Sequence, residues 1–97
     1  MGIIDKLNKD FESRVRLGIM SILMVNEWID FTEMKTLLDI TDGNLASHST
    51  ALEKAEYIEI KKEFVGKKPR TSYKVTDRGR AAFEVHLNSL ENLMKSK

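Results

Sequence analysis

The chain has no cysteine, one proline and only seven aromatic residues among 97. Without cysteine there is no disulfide, no thiolate metal ligand and no thiol nucleophile, which fits a reducing cytosol. The most apolar stretch, Leu17 to Val25, falls short of the roughly 20 residues a bilayer span needs. Met1 to Phe11 alternates charged and apolar residues, so it lacks the unbroken apolar core of a secretory signal. The five glycines, at 2, 18, 43, 66 and 79, are too scattered for a dinucleotide fingerprint or a phosphate loop. No paired groups suited to acid–base or nucleophilic work stand out; Glu12, Glu27 and the other acids fall at positions suited to solvated helix faces. His48 and His86 are the only histidines, too few for a metal set without cysteine. An enzyme, a membrane protein and a cofactor or metal protein are all disfavoured, and a cytoplasmic location is expected.

Strong net charge is missing as well, with 16 Lys and Arg against 15 Asp and Glu. The +1 total conceals a division. Residues 1–59 hold 6 basic and 11 acidic side chains, whereas residues 60–80 hold 8 basic and 2 acidic. An acidic body is thus joined to a strongly basic segment, and asymmetry of that kind points to a polyanionic partner.

The length suits one domain over residues 1–97. Ile4, Leu7 and Phe11 recur at helical spacing, predicting a short amphipathic helix over 1–13. Val15, Ile19, Ile22 and Leu23 form the main stripe of a helix from about Glu12 to Asn26, widened by Leu17, Met20 and Met24. So broad an apolar surface marks it as central. Gly18 in its middle suits close helix–helix approach. Trp28 to Phe31 reads as a short strand. Thr32 then caps a brief helix to Leu38, Asp39-Ile40 turns, and Thr41 caps a helix to Ala55 with Leu45, Leu52 and Ala55 inward. Two short helices across a tight turn form a helix-turn-helix over 32–55. The period then changes from helical to alternating. Ile58 to Phe64 and Tyr73 to Val75 read as paired strands, with Val65 to Arg70 as the loop of a hairpin spanning 58–76. Thr76-Asp77 opens a last helix over 77–95.

Three segments carry a family likeness. Arg16-Leu17-Gly18-Ile19-Met20-Ser21-Ile22-Leu23 resembles the "R-L-x-I-L-x-x-L" helix of bacterial and archaeal winged-helix repressors. Thr41-Asp42-Gly43-Asn44-Leu45-Ala46-Ser47-His48 resembles their "T-x-G-N-L-S-x-H" recognition-helix start, and Phe64 to Thr76 their "F-x-G-R-R-P-R-T-x-Y-x-L-T" wing. In order and at the right spacing, from Leu7 to Leu87, they resemble the single-domain winged-helix DNA-binding regulators akin to the MarR and ArsR types. The resemblance implies an α+β winged helix-turn-helix, a homodimer and no enzyme activity. The metal-sensing cysteines of ArsR-type proteins are absent. Ser49 stands where the family usually has Leu and should bond back to a carbonyl one turn earlier. Glu56 stands where it usually has a helix-ending Gly, so that turn must end differently or accept strain.

With Leu45, Leu52 and Ala55 inward, the outward side of the recognition helix presents Gly43, Asn44, Ser47, Thr50 and Lys54. Short and hydrogen-bonding side chains let a helix sit deep in a major groove and read base edges. Thr41 joins this set as the cap, while Asp42 suits the helix dipole better than a phosphate. His48 lies at the border of the buried stripe, where a structural role and a DNA contact remain equally open. In the hairpin, Lys67, Lys68 and Arg70 around Gly66 and Pro69 form a stiff basic tip for the DNA backbone or a minor groove. Lys62, Lys74, Arg78 and Arg80 flank it as phosphate contacts. Phe83, Leu87, Leu90 and Met94 form a heptad-like seam on the last helix, and Ile3, Ile4 and Leu7 extend it as a dimer interface. A two-fold dimer calls for a near-palindromic duplex site. The expected function is a homodimeric DNA-binding repressor; the alternative is a winged-helix protein-interaction module anchored by Trp28 and the seam. A small effector, if one is bound, is expected in the dimer cleft.

Overall fold

A computed structural model of the chain describes residues 2–96, apart from the side chain of Ile3. Two 3-10 turns, Ile3–Lys6 and Lys9–Phe11, lead into helix α1, Arg14–Met24. Strand β1 (Ile29–Asp30), helices α2 (Phe31–Leu38) and α3 (Asp42–Lys54), strands β2 (Ile58–Val65) and β3 (Lys68–Val75) and helix α4 (Asp77–Met94) follow. The sheet is antiparallel in the order β1-β3-β2. This is the α+β winged helix that the sequence motifs implied, with helices first, then a hairpin wing, then a C-terminal helix. The molecule has extents of 56 × 25 × 21 Å, and residues 61–70 around the hairpin turn are exposed throughout.

The core joins Ile19, Met20 and Leu23 of α1 to Met34, Leu45 and Leu52 of the helix-turn-helix and to Tyr73 and Val75 of β3. All of the α1 residues in that set are fully buried, as a central helix requires. Gly18 lies against α2: a Cβ there would come within 2.6 Å of the Leu38 side chain. Ser49 is buried and donates to the Ala46 carbonyl at 3.2 Å, the backward bond expected of a hydroxyl replacing Leu.

The expected N-terminal helix over 1–13 is not formed. Asn8 interrupts it, its side chain accepting from the Asp10 amide at 2.8 Å, so the segment breaks into two 3-10 turns. Phe11 is the anchor. It is fully buried, with ring centroids 5.1 Å from both Tyr57 and Phe83 and 5.4 Å from His86. The Asn8 amide donates to His86 Nδ1 at 3.0 Å, and its side chain donates to the Tyr57 hydroxyl at 3.0 Å.

This latch needs a neutral His86. Burial lowers its pKa from the ordinary 6.5, against the opposing pull of the Glu12 charge. Above pH 6.5 the group is neutral in both folded and unfolded chains. As pH falls through that value the unfolded chain takes up the proton first, so stability declines, by at most about 1.4 kcal/mol per pH unit. Urea midpoints should therefore fall between pH 7 and pH 5.5, and His86→Gln should flatten that part of the profile.

The cap of α2 is Asp30, not Thr32: its carboxylate accepts from the Glu33 amide at 2.7 Å. Thr41 and Thr76 cap α3 and α4 as expected, accepting from Asn44 and Gly79. At the end of α3, Glu56 adopts the left-handed conformation, with φ +65. Its amide donates to the Glu53 carbonyl at 2.9 Å and the Tyr57 amide donates to that of Leu52 at 3.0 Å, the paired bonds of a Schellman ending. The turn thus keeps the shape a glycine would take and accepts the strain. Glu56→Gly is expected to raise stability by about 1 kcal/mol and Tm by about 4–8 °C, because a side chain at left-handed φ costs about 1–2 kcal/mol and glycine's extra unfolded freedom returns part of it. An unchanged or lowered Tm would contradict this.

Candidate nucleic-acid interface

Helix α3 starts on an open surface. Thr41, Asp42, Gly43, Asn44, Ser47, Thr50 and Lys54 are all exposed, while Leu45, Ser49 and Leu52 face the core. A Cβ at Gly43 would meet nothing within 4 Å, so this turn leaves room for close approach by another molecule. The anionic Asp42 does not stand alone: Lys35 Nζ of α2 lies 2.7 Å from its carboxylate. The turn between the helices brings the two together, with Asp39 in the left-handed region at φ 52. Lys35 carries no signal in the sequence, because only the helix-turn-helix angle places it beside α3. With Lys35 counted, the start of the helix meets a polyanion without net negative charge.

His48 is half-buried, and its Nδ1 accepts from Arg16 Nε at 3.1 Å. Arg16 in turn reaches the Asp10 carbonyl at 3.4 Å and its carboxylate at 3.9 Å. That chain ties α3 to α1 and the N-terminal segment, so one face of the imidazole serves the protein body.

The wing is longer and its turn tighter than the sequence suggested. Val65 pairs with Lys68, leaving a two-residue turn of Gly66 and Lys67 instead of a loop from Val65 to Arg70. Gly66 has φ +66 and Lys67 does not share its sign, the φ pattern of a type II′ hairpin turn. Lys68, Pro69 and Arg70 are therefore strand residues. Pro69 is tolerated because β1 pairs only with Ser72 and Tyr73, which leaves this part of β3 with an open side.

Alternation then sorts the wing cations. Lys62, Phe64, Pro69 and Thr71 share the face that continues from the core residues Ile58, Tyr73 and Val75. Lys61, Lys68, Arg70 and Lys74 lie on the other face. Lys62, Lys67, Lys68 and Arg70 are exposed. Arg70 Nη2 sits 3.8 Å from the Asp30 carboxylate at the start of α2, and with Thr32, Pro69 and Thr71 lines a small cleft between wing and helix-turn-helix. Lys74 is half-buried, with Nζ 5.6 Å from the Trp28 ring, while Lys61 Nζ lies 4.3 Å from it.

Two expected phosphate contacts, both exposed, also bond within the protein. Arg78 donates to the Ala55 carbonyl at 3.3 Å and Arg80 to the Met24 carbonyl at 3.2 Å. Each arginine closes the C-terminal end of a helix, where free carbonyls favour a cation.

On α4 the buried stripe is Gly79, Phe83, His86 and Ser89, rotated from the heptad-like seam. Phe83 is 1 % exposed and belongs to the monomer core, which removes it from the surface expected to meet a partner. The N-terminal turns cover part of α4 and compete for the same stripe. Leu87 and Met94 remain exposed, as does Ile4, while Leu7 and Leu90 are half-buried. Ile3's side chain lies outside the described part. No helix among the described residues is long and apolar enough to cross a membrane.

Comparison with known proteins agrees with this geometry. A family model described as a winged helix DNA-binding domain matches residues 15–94. An uncharacterised protein of Methanocaldococcus jannaschii is 35% identical over 88 residues, covering 91% of this chain and 96% of its own. A transcriptional regulator homologue from Pyrococcus horikoshii superposes with a TM-score of 0.88 at 31% identity, covering 98% of this chain and 96% of that one. The YusO protein from Bacillus subtilis shares the fold alone, with a TM-score of 0.80 at 15% identity over 96% of this chain and 65% of that one.

Proposed function

Because the chain belongs to the family of winged-helix DNA-binding domains and is a homologue of transcriptional regulators, we propose that it is a sequence-specific repressor acting as a homodimer in the cytoplasm. Residues 1–97 act as one DNA-binding unit. Helix α3 enters the major groove, where Asn44, Ser47 and Thr50 read base edges and Gly43 allows close approach. The wing lies on the backbone or in the neighbouring minor groove, with Lys62, Lys67, Lys68 and Arg70 countering phosphates. The observation that carries this reading is the pairing of an exposed, short-side-chained α3 start with a projecting arm whose tip bears Lys67 and Lys68. The family is one of DNA-binding regulators rather than enzymes.

The dimer forms on the exposed flank of α4, through Leu87, Leu90 and Met94 with Ile4 and Leu7 of the N-terminal segment. Two copies related by a two-fold axis then present two α3 helices to successive major grooves of a near-palindromic duplex. Titrating duplex DNA at low salt, with sedimentation to give the mass of the bound species, tests the proposal. Binding by a species of twice 11.1 kDa supports it; absence of binding at low salt, or binding by a monomer, contradicts it.

A further inference from the structure

Away from the start of α3 and the wing tip, an open groove of about 600 Å³ lies where the end of α3, the root of β2 and Trp28 meet. Ile58, Ile60 and the Trp28 indole give it an apolar lining, and Glu53, Glu56 and Glu59 stand around it with Lys61 and Thr76. Its size falls within the range of about 300–1,000 Å³ usual for small-molecule sites. Among the described residues none of the three glutamates takes part in an ion pair.

We propose that this groove binds a small organic cation with an apolar body, such as an aryl- or alkylammonium ion. Charge complementarity selects that occupant, because the lining sets three carboxylates against the single ammonium of Lys61. The indole face already draws ammonium groups, with Lys61 Nζ at 4.3 Å and Lys74 Nζ at 5.6 Å, and indole is the strongest of the aromatic faces in this respect. Lys61 is exposed on a flexible stem, so a ligand ammonium can take its place. The apolar body of the ligand then covers Ile58 and Ile60. Glu53 and Glu56 belong to the end of α3, and Glu59 to the root of the wing. A bound cation therefore removes negative charge beside both proposed DNA-facing elements and tightens duplex binding. This coupling rests on the proposed DNA function; the binding itself does not.

Trp28 is the only tryptophan, so its indole N–H gives a single NMR signal for the site. Titration with benzyltrimethylammonium chloride should shift that signal saturably. The triple change Glu53→Gln, Glu56→Gln and Glu59→Gln, with its fold checked by thermal melting, should weaken binding by about three- to a hundredfold, since each exposed carboxylate–cation pair contributes about 1.4- to fivefold. A shift that is absent, unaltered in the triple variant, or reproduced by sodium chloride at equal ionic strength or by benzyl alcohol would overturn the proposal. An oligolysine peptide that moves the signal when the small cation does not would also overturn it, in favour of a basic protein segment. If the small cation saturates the signal but leaves duplex affinity unchanged, the site stands and the coupling falls.

Discussion

Gly79→Ala is expected to cost more than about 3 kcal/mol, beyond the usual range for overpacking, and to lower Tm by more than about 12 °C. A Cβ at this position would lie 1.9 Å from the Tyr57 carbonyl oxygen, 2.7 Å from its carbon and 2.9 Å from its Cα. These are backbone atoms that cannot swing aside. The Tyr57 amide donates to Leu52 at 3.0 Å in closing α3, and its carbonyl accepts from the Thr76 amide at 3.0 Å. The first turn of α4 would have to leave the α3–β2 junction, carrying Phe83 and His86 away from Phe11. With typical stabilities of about 5–15 kcal/mol, a large share of the native margin would be lost. Gly18→Ala makes the contrast. Its nearest obstacle is the end of the Leu38 side chain at 2.6 Å, which can rotate, and alanine's higher helix propensity returns up to about 1 kcal/mol. Thermal melts of the two variants should differ widely; a Gly79→Ala protein melting with the unmodified chain would contradict this packing.

The second large effect concerns DNA. Replacing Lys67, Lys68 and Arg70 together with Ala should reduce the slope of log affinity against log salt by about 0.9 for each phosphate no longer neutralised. Since counterion release vanishes toward 1 M salt, freeing three phosphates in this way reduces affinity at 0.1 M by a factor on the order of 10²–10³. The three residues should not contribute equally. Arg70 must loosen its 3.8 Å pairing with Asp30 before serving a phosphate, whereas Lys67 occupies the turn and Lys68 the strand beside it, both exposed. Arg70→Ala alone should therefore cost less than Lys67→Ala with Lys68→Ala, even per charge removed. The reductions should be nearly the same on any duplex sequence, because phosphate contacts position a protein without reading bases. A salt slope untouched by the triple change would remove the wing from the interface.

The architecture was legible because local signals agreed with tertiary ones. The change of period at Ile58, the caps Thr41 and Thr76 and the inward spacing of Leu45 and Leu52 each depend on a few neighbouring residues, and each is present in the fold. What escaped the sequence depends on partners far along the chain. Arg78 and Arg80 read as free cations, yet they close α3 and α1 across separations of 23 and 56 residues. Lys35 meets Asp42 only through the angle between two helices. The spacing of Ile4, Leu7 and Phe11 suited a helix, but Asn8 and the aromatic pocket around Phe11 imposed two 3-10 turns. On α4 periodicity alone could not decide which of two adjacent stripes faces the core. The N-terminal segment settled that by packing on His86 through Asn8 and Phe11.

The acidic and basic halves of the chain thereby acquire a spatial meaning. On the proposed function, affinity is expected chiefly from the basic wing and choice of sequence from α3, whose few charges are Asp42, Glu53 and Lys54. Selection of bound duplexes from a random pool tests that division of labour most directly. Enrichment is expected of a near-palindrome whose half-sites are centred about one helical turn apart, roughly 10–10.5 base pairs, or a multiple of it. A pool that remains random after selection, or converges on an unsymmetrical single site, would contradict it.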